Sequence, residues 1–410
     1  MEGMSPKEFA LTRVLRELED AKMHITEFNE RNLRRRIDAI VRSLLGQYRD
    51  FALTPEERDE VIREGVSYFL GLGPIEVLLK NPEVTEIMIN GPREVYVEKN
   101  GNLESVDTKF KDEEQLLYFV EKMLATLGRQ VTHLEPYVDT ILNDGSRVNI
   151  VKKPVSRIGP IVTIRKFSDR LLTMDEFIAS GALNTGVAEF LKACVIARLN
   201  LLISGGAGAG KTTLMNILCS FIPGRERSIA IEDTPELNIP GKHAIFLVTR
   251  PPNIEGKGEI TIRSLIRNAL HMRPDRIIVG EVRSDEVIDM IQAMNTGHEG
   301  SMTTLHANSP PDALDRLEVL TLLGRANISD AVARKMVVNT IQLVIHMARL
   351  SDGSRRVITI SEVTKNQGSP IEDIFVFDET ARVLKATGRM PAFYSQLKKK
   401  ADYTHRDFEG

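Results

Sequence analysis

The spacing of apolar residues changes twice along this chain, and each change marks a different kind of structure. Over 30–51, Leu33, Ile37, Ile40, Val41, Leu44, Leu45 and Tyr48 recur at helical intervals, which predicts an amphipathic helix. Thr54-Pro55-Glu56-Glu57 reads as a capping box with proline at the first helical position. A further helix is expected there, stopping near Gly71-Leu72-Gly73-Pro74. From Val84 the period becomes two. Val84–Ile89 and Val95–Glu98 read as strands, and Asn100-Gly101 turns the chain towards Leu103. A helix follows from about Glu113 to Leu127 and ends at Gly128. Val138–Leu142 and Arg147–Val151 flank a turn at Asn143-Asp144-Gly145, and Ile161–Phe167 is another strand.

Alternation places Arg147 and Asn149 on one strand face, and Thr163 and Arg165 likewise share a face. Two arginines on an exposed sheet face suit edge decoration and an anion site equally, and the pattern leaves both open. Thr173-Met174-Asp175-Glu176 is a second capping box, inside a linker expected over 168–182. Beyond it, short apolar strands alternate with helices. Helix Gly186–Leu199, a strand to Ser204, helix Thr213–Ile222 and strands Ser228–Ile231, Ile277–Val279 and Ser301–His306 follow in turn. That order predicts an α/β unit whose mostly parallel sheet binds ligands at its carboxyl edge.

Composition narrows the picture. At 410 residues the chain is expected to form two or three domains, and 42% apolar with 27% charged residues is ordinary for a globular protein. The formal net charge of −3 argues against neutralising DNA phosphates, so no nucleic-acid partner is expected. The two cysteines, Cys194 and Cys219, lie in apolar runs and fit no zinc or redox spacing; they read as buried thiols of a reducing cytoplasm. No apolar run approaches the roughly 20 residues of a membrane span. Met1–Arg16 is charged throughout, without a signal core. Arg31, Arg34, Arg35, Arg36 and Arg42 decorate the first helix, where a solvated face is a simpler reading than a dock for acidic partners or anionic lipid.

The chemistry concentrates after residue 200. Gly205, Gly206, Ala207, Gly208, Ala209, Gly210, Lys211 and Thr212 form a complete G-x-x-x-x-G-K-[ST] loop between the apolar run Leu199–Ser204 and a helix-forming run that begins at Thr213. Glycines let successive backbone N–H groups turn inward, and the helix points its N-terminus at the same spot. Lys211 would meet the β- and γ-phosphates and the Thr212 hydroxyl would hold Mg²⁺. No Asn-Lys-x-Asp guanine motif accompanies the loop, so ATP is the expected nucleotide.

Three polar clusters sit where later strands end. Ile231-Glu232-Asp233-Thr234-Pro235-Glu236 offers carboxylates to position water or ligate Mg²⁺. Arg276-Ile277-Ile278-Val279-Gly280-Glu281 is an apolar strand closing on a carboxylate, the form of a Walker B element; one such group serves Mg²⁺, which keeps its waters. The stretch from Gly297 to His306 supplies His298 and His306 without the partners a zinc site needs, so contact with phosphate, or sensing it across the sheet, suits them better. Arginines 250, 263, 267, 273 and 283 lie beside these clusters. Spacing does not say which would reach a γ-phosphate, and ion pairing at the surface accounts for most of them.

In this order the four elements resemble the secretion ATPases of type II and type IV secretion and of type IV pili. The stretches 250–258, Met272-Arg273-Pro274-Asp275-Arg276 and Ala293-Met294-Asn295-Thr296-Gly297-His298 look like the CpaF branch, which serves tight-adherence (Tad/Flp) pili. Asn90-Gly91-Pro92, Asp144–Asn149 and Thr163–Phe167 look like the amino-terminal domain of that branch. The resemblance runs from about residue 55 to 365. It implies a PAS-like α+β domain over 54–167 and a RecA-like P-loop ATPase domain over 183–410; residues 1–53 match least and are expected to form an N-terminal helical bundle. It also implies a homohexamer with nucleotide at the subunit interface, peripheral to the inner membrane through pilus platform proteins. Carried over, Glu236 or Glu232 would position the attacking water, and Glu281 would bind Mg²⁺ through water. Arg147 and Arg165 would approach the phosphates.

Overall fold

Two units, Met1–Phe167 and Ser168–Gly410, make up the chain in a computed structural model. It describes residues 5–20, 30–47, 52–70, 73–99, 101–110, 112–142, 144–167, 172–241, 243–252, 256–324, 328–365 and 370–404. Tyr48, Gly71-Leu72, Asn100, Asn143, 168–171, 253–255 and the side chain of Arg31 lie outside the described residues.

In the first unit α1 (Pro6–Asp20), α2 (Glu30–Gln47) and α3 (Pro55–Leu70) pack on one apolar cluster. Val14, Ile37, Val41 and Val61 are wholly buried in it, as the helical spacing along α2 requires. Thr54 caps α3 from both sides: Glu57 N donates to its Oγ1 (3.1 Å), and its own N–H donates to Glu57 Oε2 (2.8 Å). Because α3 buries Val61 and Val66 in this cluster, the helical segment runs to Leu70 and not, as expected, to residue 53. Arg34, Arg35, Arg36 and Arg42 are exposed, and Arg42 Nε bonds Asp38 at 3.0 Å.

A 3-10 turn and the one-turn helix α4 (Glu76–Lys80) lead into β1 (Val84–Asn90), β2 (Val95–Lys99) and β3 (Asn102–Val106). Helix α5 (Glu113–Ala125) follows, then β4 (Tyr137–Ile141), β5 (Arg147–Val151) and β6 (Ile161–Arg165). The six strands pair antiparallel in the order β3-β2-β1-β6-β5-β4. One sheet face shares a core with α5: Ile87, Ile89, Val97, Val148, Ile150, Val162 and Ile164 meet Leu116, Val120 and Leu124. The period of two fixes the rest, so the other face is polar.

The second unit begins with α6 (Met174–Ala179), capped by Thr173 and Glu176. Phe177 and Ala182 are buried in its main core, so residues 173–182 pack into this unit instead of forming a free linker. Then come α7 (Thr185–Ile196), β7 (Leu201–Gly205), α8 (Lys211–Cys219), β8 (Ser228–Glu232) and β9 (Ala244–Val248). Next are α9 (Ile262–Ala269), β10 (Arg276–Val279), α10 (Val287–Asn295), β11 (Met302–His306), α11 (Pro310–Gly324) and α12 (Asp330–Thr340). The chain closes with β12 (Leu343–Arg349), β13 (Arg355–Val363), β14 (Ile371–Asp378), β15 (Val383–Ala386) and α13 (Tyr394–Ala401).

Nine strands form one sheet, β15-β14-β13-β12-β7-β11-β10-β8-β9. The run from β12 to β9 is parallel, and β13, β14 and β15 add an antiparallel flank that spacing did not indicate. Alternate residues feed two cores. Leu201, Ile203, Ala230 and Ile345 face the layer of α7, α8 and α13, whereas Leu202, Ile229, Ile231 and Val344 face that of α9–α12. Both cysteines are buried in the first layer, where burial pushes each thiol up, Cys219 to about 12. No helix among the described residues is long and apolar enough to cross a membrane.

Candidate nucleotide site

Four neighbouring parallel strands, β7, β11, β10 and β8, end at one edge of the large sheet, and each delivers a polar group there. β7 runs straight into the glycine loop, and α8 begins at Lys211. A Cβ on Gly205 (φ +153°) would strike the carbonyl oxygen of Met347 on β12. Gly208 (φ +67°) and Gly210 (φ +97°) hold left-handed backbone that side chains resist. Ala207 and Ala209 complete the loop, and Thr212 and Thr213 occupy the half-buried first turn of α8. The first N–H groups of that helix have no intrahelical acceptor, so the loop is built to face an anion.

Lys211 is only 8% exposed, and its ammonium bonds the carbonyls of Gly205 (3.1 Å) and Gly206 (2.9 Å). It lies 3.3 Å from His306 Nδ1, at the end of β11. These three partners satisfy its three donors, so a phosphate must replace them. Burial lowers the Lys211 pKa, against the opposing pull of the Glu281 charge. His306 Nε2 stands 3.0 Å from Glu281 Oε1, an electrostatic contact and not an aligned bond. Burial likewise lowers the His306 pKa, and the Lys211 ammonium leaves Nδ1 as the acceptor, so the ring proton sits on Nε2. Arg283 Nη2 bonds the other Glu281 oxygen, and the Thr304 hydroxyl holds the carbonyl of Gly280 at 2.7 Å. Charges of alternating sign, Lys211, Glu281 and Arg283, thus line one edge with a neutral histidine between two of them.

Glu232, at the end of β8, is 4% exposed and Oε1 accepts the backbone N–H groups of Glu236 and Leu237, both at 2.9 Å. Burial raises its pKa to about 7 despite those two bonds. Asn216 of α8 donates to the Glu236 carbonyl (2.8 Å) and accepts from Asn238 N (2.8 Å), tying the acidic loop to the helix that follows the glycine loop. Glu232 is therefore committed to folding its own loop, and Glu236 is the half-exposed carboxylate that the loop carries.

Other expectations separate in space. His298 precedes β11, at the amino edge of the sheet; its Nδ1 donates to the Ala293 carbonyl (3.1 Å). The length of β11 parts it from His306, so the structure does not bring both histidines to the loop within one chain. Of the five arginines, Arg263 bonds Asp289 (2.7 Å), Asp285 and the Gly324 carbonyl, and Arg267 bonds Asp289 (2.8 Å). Arg250 bonds the Gly258 carbonyl (2.8 Å), Arg283 is bound to Glu281, and Arg273 is exposed with φ +55°. In the first unit Arg147 and Arg165 are directly opposed on β5 and β6, on the polar sheet face. Sequence reasoning passed over His346, buried on β12 with Nδ1 3.0 Å from the Ser204 hydroxyl. A lone histidine within Leu343-Val344-Ile345-His346-Met347 was the available signal.

A glycine loop opening a helix at the carboxyl edge of a parallel sheet, with carboxylates on two neighbouring strands, defines a P-loop ATPase of RecA-like architecture. The model of the family described as "Type II/IV secretion system protein" matches residues 70–388. A Mycobacterium tuberculosis protein provisionally named for conjugal transfer is 34% identical over 304 residues, covering 73% of this chain and 86% of that one. The type IV secretion system protein VirB11 of Brucella suis is 28% identical over 335 residues, covering 75% and 92%. The pilus retraction motor PilT, solved with ADP, shares the fold at 19% identity and a TM-score of 0.50, over 79% of this chain and 84% of that one. The chain belongs to the type II/IV secretion ATPase family.

Proposed function

We propose that this chain is a homohexameric motor that hydrolyses ATP to drive pilus subunits of a tight-adherence type IV pilus out of or into the inner membrane. The convergence of Lys211, His306 and Glu281 on the glycine loop carries the reading. The loop N–H groups and Lys211 hold the β- and γ-phosphates, and nucleotide exchanges the lysine's carbonyl and histidine partners for phosphate oxygens. No group of three or more potential metal-ligating side chains is gathered among the described residues. The Thr212 hydroxyl would hold Mg²⁺, with Glu281 acting partly through water. The ion would supply neutralisation of developing phosphate charge. Glu236 orients the attacking water and Glu232 holds the loop that carries it. Arg147 and Arg165 bring positive charge to the phosphates. Platform proteins of the inner membrane receive the work, and the motor sits at its cytoplasmic face through them.

Phosphate release by the purified full chain tests the hydrolysis claim. Lys211→Ala should lose at least about 100-fold in rate, the scale of removing one preorganised donor to a transition state. An unchanged rate would sink the ATPase reading. Binding of ATP by the parent chain without phosphate release would point instead to a nucleotide-gated scaffold. The stretches 250–258 and 293–298 support the pilus role. The names of the Mycobacterium and Brucella relatives favour a second reading, a type IV secretion ATPase. A strain carrying only Lys211→Ala should lose surface pili and keep macromolecular transfer; the reverse outcome would choose secretion.

A further inference from the structure

The polar face of the six-stranded sheet carries a row of charges whose order stability alone does not explain. Register puts Glu98 of β2 opposite Glu86 of β1, Glu86 opposite Arg165 of β6, and Arg165 opposite Arg147 of β5. Cross-strand partners share a face with Cβ atoms about 5 Å apart, and like charges directly opposite destabilise a sheet. The same four residues in alternating order would form three attractive pairs. This row instead has two repulsive pairs joined by one attractive pair. Asp139 of β4 relieves Arg147 through two bonds, Nη2 at 2.6 Å and Nε at 3.2 Å. The Glu98 carboxyl stands directly across from Glu86, which is half-buried. Burial and the Glu98 charge raise the Glu86 pKa, while Arg165 opposes the rise. Among the described residues these two charged groups bear on Glu86, one from each strand beside it.

We propose that Glu86 is a proton-linked counter-ion that competes with bound phosphate for Arg165. This rests on the reading that Arg147 and Arg165 meet the phosphates. When an anion takes the guanidinium, Glu86 loses its stabilising cation and gains a negative neighbour, so it binds a proton. Glu98 stands ready to share that proton. The bound state has the higher Glu86 pKa, so ATP affinity is greatest at low pH. It falls as pH rises through the free-state value and levels off above the bound-state value. A one-unit difference between the two states corresponds to about a tenfold change in affinity.

The test is the KM for ATP of the full chain, measured from about pH 5 to 8.5, with ATP-linked proton uptake from calorimetry in two buffers. Glu86→Gln should match the parent at low pH and bind ATP about 3–10-fold tighter at high pH, with proton uptake reduced. Glu86→Asp should restore the parent's pH dependence. Glu98→Gln removes a charge that raises Glu86, so it should move the KM rise to lower pH. It also gives a second test should the first variant fold poorly. A Glu86→Gln profile equal to the parent's at every pH, with ATP binding weakened by Arg165→Ala, would overturn this proposal alone. Parent-like binding by both Arg147→Ala and Arg165→Ala would overturn the phosphate reading beneath it as well.

Discussion

The two sheets of this chain treat charge in opposite ways. At the carboxyl edge of the large sheet, Lys211, Glu281 and Arg283 alternate in sign, and Lys211 and Glu232 are buried with their bonds made inside the protein. On the polar face of the small sheet, Glu98, Glu86, Arg165 and Arg147 stand like beside like, half-buried or exposed. The difference follows from solvent. A buried charge without a partner costs several kcal/mol, so the interior must match its charges before any ligand arrives. A row open to water is screened by it, so like charges can stand side by side there at little cost. The first arrangement stores a site in a satisfied form, and the second keeps charge on hand.

The sharpest way to break this contrast is at the glycine loop. Gly205→Ala places a Cβ on the Met347 carbonyl, where only backbone could yield; about 2–4 kcal/mol of stability and ATP binding should go together. Gly208→Ala meets nothing within 4 Å and should cost only the strain of its left-handed backbone, about 1–2 kcal/mol. Thermal melts and nucleotide titrations of both variants would expose a loop less tightly built than described if Gly205→Ala matched the parent.

Next in size is the buried carboxylate. Glu232 has a folded pKa of about 7, above its unfolded value, so its contribution is full below about pH 4.5 and declines as pH rises to about 7. Glu232→Gln keeps an acceptor for both N–H groups and cannot ionise. The stability lost by the parent between those limits should therefore shrink by about 1–3 kcal/mol in the variant. Melting curves across that range check it; parallel slopes would show that Glu232 is better solvated than its burial implies. Smallest is the exposed pair. Asp139→Asn should change stability by under about 1 kcal/mol while shifting the KM for ATP several-fold. A large loss of stability would mean that the row braces the sheet and holds no charge in reserve.

Much of this was legible because local chemistry spoke unambiguously. The capping boxes at Thr54 and Thr173 fix two helix starts within a few residues, and the glycine loop fixes a strand, a turn and a helix at once. Alternation put Arg147 and Arg165 on strand faces, but their direct opposition depends on pairing between strands, which no spacing records. The antiparallel flank escaped because β13–β15 pair by hairpins outside the β-α rhythm. α4 escaped because five residues span too little of the helical period. That His298 and His306 lie at opposite ends of β11 depends on where the strand starts, since eight positions along a turn and a strand carry a chain across a sheet. Arg263 and Arg267 are ion-paired, as expected of most of the five arginines, but spacing could not name Asp285 and Asp289 as their partners.

The two cysteines have a use that their place in the core creates. With a pKa of about 12, Cys219 is thiolate at only about one part in 10⁴ near pH 8, and Cys194 is held up in the same direction. Maleimides and oxidants need the thiolate and access to it, and both are withheld. The native chain is in effect silent to thiol reagents, so one cysteine introduced at exposed Ala39 or Asn149 would be the sole label acceptor. A fluorophore or spin label could then follow each unit through a turnover without stripping the protein of its own sulfur.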